Sequence, residues 1–86
     1  MNQATLTAVI WQEGDVYVSN CPELGVASCG ETPEKAILML KEAVELYLKN
    51  AVQLGLWDDV KTAVEAPSRF TAPFEVTILS KRYKKI

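Results

Sequence analysis

The sequence predicts an α+β domain of two layers, with helices on one face of a mostly antiparallel sheet. Three observations carry this. Two runs rich in β-branched and aromatic residues, TLTAVIWQ (Thr5–Gln12) and VYVSNC (Val16–Cys21), flank a turn-forming Glu13-Gly14-Asp15. From Pro33 onward, apolar residues recur at helical spacing for about five turns. A last strand-like run, FEVTIL (Phe74–Leu79), closes the order β-β-β-α-(α)-β.

Thr5–Gln12 and Val16–Cys21 form a hairpin, with Gly14 free to take a positive φ in the turn. A two-residue Glu13-Gly14 loop would set Trp11 opposite Val16 and Val9 opposite Val18, all on one face. Leu6, Ala8, Ile10 and Tyr17 then share the other. Pro22 has no N–H for the ladder and ends the second strand. Glu23-Leu24-Gly25 turns the chain into a short third strand, Val26–Cys29. Thr32 is placed to cap the helix, and Pro33 suits its first position. Glu34 complements the helix dipole, but Lys35 occupies the place of a capping-box glutamate.

The helix is expected to reach Gln53 or Leu54 and to stop at Gly55. At about 100° per residue, Ala36, Ile37, Leu40, Ala43, Val44, Tyr47, Ala51 and Leu54 fall on one stripe, expected to lie on the sheet. Lys35, Glu42, Glu45 and Lys49 occupy the opposite face, where Glu45 and Lys49 are an i,i+4 pair worth about 0.3 kcal/mol. Leu38, Met39 and Leu46 are more apolar surface than one small sheet needs. They read either as ordinary exposed residues or as a contact shoulder. Leu56–Glu65 is a short second helix on the spacing of Leu56, Val60 and Val64. Ala66–Pro73 is an extended connection, Phe74–Leu79 a fourth strand, and Lys81–Lys85 a basic tail.

A chain of 86 residues is read as a single domain, residues 1–86. Such a chain buries only about 60–65% of its unfolded surface, so oligomerisation would add to a thin stability margin. Both sheet faces are partly apolar and an open sheet has two edges. A homo-oligomer is therefore expected. The net charge of -2 gives no general attraction to nucleic acid or an anionic membrane. No apolar run is long enough to span a bilayer and no leader pattern opens the chain, so a cytoplasmic setting with reduced thiols is expected.

Histidine is absent, which removes Ser-His and Cys-His catalysis and histidine-based metal sites within one chain. Cys21 and Cys29 read first as packing thiols; a disulfide or redox pair and a two-thiolate metal site are weaker alternatives. Asp15, Glu23, Glu31, Glu34, Asp58, Asp59, Glu65 and Glu75 are scattered over turns, caps and a strand, and read as solvated rather than as a metal-hydrolase set. No cofactor or metal is expected, and no enzymatic activity. Lys81, Arg82, Lys84 and Lys85, with Tyr83, could contact phosphates, or could be a solvated terminus.

From Cys21 to Leu48 the chain reads CPELGVASCGETPEKAILMLKEAVELYL. This resembles the HicB-like antitoxin family, marked by a CPEL-type turn, a short strand, a Gly-Glu/Asp-Thr helix cap and an EAL-rich helix. Cys21, Pro22, Glu23, Leu24, Ser28, Gly30, Thr32, Ala36, Leu40, Glu42 and Ala43 match in place. Cys29 stands where a polar residue is common and Lys35 where glutamate is usual. The resemblance implies a partial RNase H-like fold with strand order 3-2-1-4, the last strand parallel to the first, and no nuclease site. It also implies a partner, a small HicA-type mRNA interferase. Many members carry a C-terminal operator-binding domain, for which no room is expected after Leu79. Short stand-alone members often self-associate.

The leading functional expectation is thus a binding protein that masks a HicA-type toxin. Trp11, Tyr17, Glu23, Leu38, Met39 and Leu46 are the expected contacts, with Asp58 and Asp59 as steering charges. The alternative is an orphan homo-oligomeric domain with a regulatory or scaffolding role. A nucleic-acid role for the basic tail ranks below both.

Overall fold

The computed structural model describes residues 3–66 and 69–79. Its elements are β1 (Val9–Glu13), β2 (Val16–Cys21), β3 (Val26–Gly30), α1 (Pro33–Gln53) and α2 (Trp57–Val64). The strands form a three-stranded antiparallel sheet in the order β1-β2-β3. With two helices, this is a mixed α+β fold. The basic residues Lys81, Arg82, Lys84 and Lys85 lie outside the described residues.

The hairpin forms, with a shift in register. Its loop is Gly14-Asp15, so Trp11 pairs with Val18, Val9 with Asn20 and Glu13 with Val16. The reason is turn chemistry. Gly14 has φ 61 and Asp15 is not left-handed, which puts glycine first in the two-residue loop. That is the arrangement that matches the twist of the flanking strands. A shift of two partners leaves each residue on its expected face. β1 also starts later than expected, at Val9. Its partner strand ends at Cys21 before Pro22, so Thr5–Thr7 run past the end of β2.

α1 begins as its sequence dictates. Thr32 is extended (φ -133, ψ 161), and the Lys35 N–H donates to its Oγ1 at 3.0 Å. Removing this cap by Thr32→Ala should cost about 1 kcal/mol, readable as a lower urea midpoint with an unchanged slope. At the other end the Leu56 N–H donates to the Ala51 carbonyl at 2.7 Å and the Gly55 N–H to the Val52 carbonyl at 3.1 Å. These two bonds are the paired closure of a Schellman motif around Gly55.

The helix packs mainly on β3 and β2, and much less on β1. Small residues let it approach. Ser19 is fully buried and its Oγ donates to the Ala36 carbonyl at 2.9 Å. A Cβ on Gly30 would lie 2.6 Å from the Ala36 nitrogen. The core is correspondingly small: Cys21, Leu40 and Val44, with Leu6, Leu24, Val26 and Leu48 packed around them.

Two expectations fail here. Ala36, Leu40, Val44 and Ala51 are buried and Ala43 is half-buried, but Ile37, Tyr47 and Leu54 of the same stripe are 47%, 39% and 72% exposed. A helix of 21 residues is about 31 Å long, whereas strands of five or six residues reach about 20 Å, so Leu54 lies past the sheet, whereas Ile37, in the first turns, borders an open groove. Second, Phe74–Leu79 forms no strand. Its alternation is that of a strand, but β1 pairs only with β2, and no described residues offer Phe74–Leu79 a ladder. The expected order 3-2-1-4 is present as β3-β2-β1, without a fourth member among the described residues.

Candidate interaction surface

The CPEL turn builds a polar junction. The Leu24 and Gly25 N–H groups both donate to the Cys21 carbonyl, at 3.2 and 2.8 Å, and fold the turn back on β2. That places the Glu23 carboxylate against the N-terminal arm. It accepts from the Thr7 hydroxyl at 2.7 Å, from the Thr7 N–H at 3.1 and 3.2 Å, and from the Cys21 thiol at 3.4 Å. The Arg69 Nε lies 2.8 Å from the same carboxylate. Its N–H is not aimed at the oxygen, so the contact is an ion pair rather than a hydrogen bond. The Arg69 Nη2 meanwhile donates to the Ala63 and Val64 carbonyls at the end of α2. One carboxylate thus ties the N-terminal arm, the CPEL turn and the chain after α2.

Electrostatics follow from this. Burial pushes the Glu23 carboxyl up, but the bonds from Thr7, from the local backbone and from Cys21 outweigh it, and the net position is below the ordinary value. Burial, and then the hydrogen bond to Glu23, push the Cys21 thiol up. A buried thiol held protonated is a poor nucleophile. Cys29 cannot reach it. Cys21 shares the helix-facing side of β2 with Ser19, whereas Cys29 pairs with Val18 on the other side. Both cysteines are free. Among the described residues, no three His, Cys, Asp or Glu side chains gather as metal ligands.

The residues singled out from sequence do not form one patch. Trp11 pairs with Val18, so it stands on the sheet face turned away from α1, 42% exposed and near Val9 and Val16. Tyr17 is half-buried on the helix-facing side. Glu23 is engaged in the junction just described. Leu38, Met39 and Leu46 lie on the outer side of α1, at 52%, 37% and 58% exposure. Met39 and Leu46 are seven residues apart and so nearly in line. Asp58 and Asp59 are exposed in the first turn of α2, where the helix dipole favours them. Trp11 and the α1 trio therefore face opposite ways, and a single small partner cannot cover both.

Sequence reasoning missed a groove. A cavity of about 770 Å³ opens between the N-terminal arm, α1 and α2, lined by Leu6, Ile37, Leu40, Val44, Leu48 and Trp57 among others. It lies where the helix passes over the arm that leads into β1, next to Cys21 at the end of β2. The Arg69–Glu23 pair was also missed. Arg69 is a lone cation in an irregular stretch, and no spacing rule joins it to a turn so far back in the chain.

The fold and surface define a small mixed α+β domain with a tied-down turn and two separate apolar exposures. No helix among the described residues is long and apolar enough to cross a membrane. Comparison with protein-family models, with curated proteins and with solved structures gave no match.

Proposed function

We propose that this chain is a non-enzymatic binding protein of the HicB antitoxin type, which neutralises a small HicA-type mRNA interferase by covering its active surface. The observation that carries this reading is the exposed apolar row Leu38, Met39 and Leu46 on the rigid outer side of α1. The motif residues beneath it are spent on internal contacts: Cys21 in the core, Glu23 in the junction, Thr32 in the cap and Gly30 under the helix. The motif is scaffold, and the surface it presents does the binding. Lys35 lies at the N-terminal end of the row, and Glu42 sits within it, one turn from both Leu38 and Leu46. Asp58 and Asp59 steer a basic toxin toward it.

The test is co-expression with a HicA-type toxin. The chain should restore growth and co-purify with the toxin. Leu38→Glu combined with Leu46→Glu should weaken binding by about tenfold or more, while the melting temperature stays within a few degrees, since both side chains are already more than half exposed. Continued mRNA cleavage with no co-purification would count against the reading. The second reading, a homo-oligomeric domain with no toxin partner, is favoured by the edge of β1 that no other described strand covers and by the groove between the N-terminal arm and the helices.

A further inference from the structure

We propose that the segment Phe74–Leu79 is a strand supplied to a second copy of this chain, pairing with the free edge of that copy's β1 in a reciprocal exchange. This goes beyond the toxin-masking proposal and does not depend on it; the α1 row is not part of the exchanged surface.

Four observations carry the inference. Phe74, Val76 and Ile78 alternate with Glu75, Thr77 and Leu79, the period of a strand with one buried face. Yet Phe74, Val76, Ile78 and Leu79 are 85%, 68%, 50% and 93% exposed. Scattered exposed apolar residues need no explanation, but a patterned run of this kind does. Second, among the described residues β1 pairs with β2 alone, which leaves the N–H and C=O groups of its other edge without a strand from them. A bare edge of this kind is a template for another strand.

Third, the chain leading into the segment already runs along that edge. Thr71, Ala72 and Pro73 bound a shallow cavity with Thr7, Ala8, Val9 and Ile10. The strand-like residues begin just after Pro73, where the chain leaves the body. Fourth, the body is incomplete on this side. The groove of about 770 Å³ leaves Ile37 47% exposed although it sits on the core side of α1. A strand added along β1 and the arm that precedes it would carry its apolar side chains over this groove.

The occupant follows from symmetry. Every copy carries both the free strand and the free edge, so two copies related by a twofold axis satisfy each other twice. Exchange of this kind creates no contact that a single closed chain would lack, so its cost is low.

The experiment uses the whole chain. Light scattering gives the mass, and amide hydrogen exchange followed by mass spectrometry reads protection. We expect a dimer, with protection of Phe74–Leu79 that appears as concentration rises. A double variant, Val76→Pro with Thr77→Pro, should be monomeric. Adjacent N–H groups in a strand point to opposite sides, so one of the two must lose a ladder bond. The variant should keep its melting transition at low concentration, because the protomer does not use these residues. A monomer with Phe74–Leu79 protected would overturn the proposal, since the strand would then be closing on its own β1. So would a monomer without protection, or a dimer that survives the double proline. None of these results bears on toxin binding through α1.

Discussion

Gly30→Ala is expected to destabilise the fold by about 1–3 kcal/mol, lowering the melting temperature by about 4–8 °C for each kcal/mol. The cause is close backbone approach. A Cβ at this position would lie 2.6 Å from the Ala36 nitrogen, 2.7 Å from the Lys35 carbonyl carbon and 2.8 Å from the Lys35 Cβ. All three belong to the first turn of α1 and two of them are backbone atoms, which cannot yield as the end of a side chain would. The helix must lift from β3, and the Ser19 bond to the Ala36 carbonyl must stretch with it. Cys29→Ser, next door but exposed on the opposite face, should change stability by no more than about 0.5 kcal/mol. Thermal melts of the two variants decide the matter. Equal stability of Gly30→Ala and the parent would show that the helix does not rest on this glycine.

Gly30 also illustrates what was legible in the sequence. The helix cap at Thr32-Pro33, the stop at Gly55 and the hairpin around Gly14 each rest on residues within a few positions of one another, and all three formed. Local chemistry is enough there. The glycine that lets α1 touch β3 gave no such signal, because its reason is an approach between two layers. The register slipped by two for a related cause: either loop keeps Val9, Trp11, Val16 and Val18 on one face, so hydrophobic pattern alone does not choose between them. The burial stripe on α1 was drawn too wide because angle along a helix says nothing about how far the sheet beneath extends. Leu48, left off that stripe, packs against the core, while Leu54 projects past it. Phe74–Leu79 is the sharpest case. Its alternation reads as that of a strand, but the segment forms none, because a strand exists only with a partner and no described residue pairs with this one. Of the surface, the exposed trio Leu38, Met39 and Leu46 was legible from helical spacing. The Glu23 junction was not, since Thr7, Glu23 and Arg69 meet only after folding.

That junction sets the second large effect. Glu23→Gln is expected to cost about 2–3 kcal/mol at pH 7, because it removes the charge that Thr7 and Cys21 bond to and leaves the Arg69 guanidinium without its counter-ion. Glu23 and Arg69 are partly shielded, with side chains 10% and 23% exposed, so water replaces the lost contacts poorly. The dependence on pH follows from the direction of the shift. The folded protein holds the Glu23 carboxyl below its ordinary value, near 4.3 for an unfolded chain. The unfolded state therefore binds the proton more readily. The stabilisation is complete above the unfolded value and drains away as pH falls through the lower, folded one. Parent and Glu23→Gln should differ most near neutral pH and converge as the pH falls through the lowered, folded value of Glu23. At the alkaline end the Cys21 thiol acts in the opposite sense: its folded value is raised, so stability is full below the unfolded value and declines as pH climbs past it. Cys21→Ala should flatten that alkaline limb and, because it also removes one of the bonds that lower the Glu23 carboxyl, shrink the acid one slightly. Urea midpoints measured from pH 3 to pH 10 on the parent and both variants separate the two groups. A Glu23→Gln variant that matches the parent at pH 7 would mean that the arm, the turn and the chain after α2 are held by packing alone.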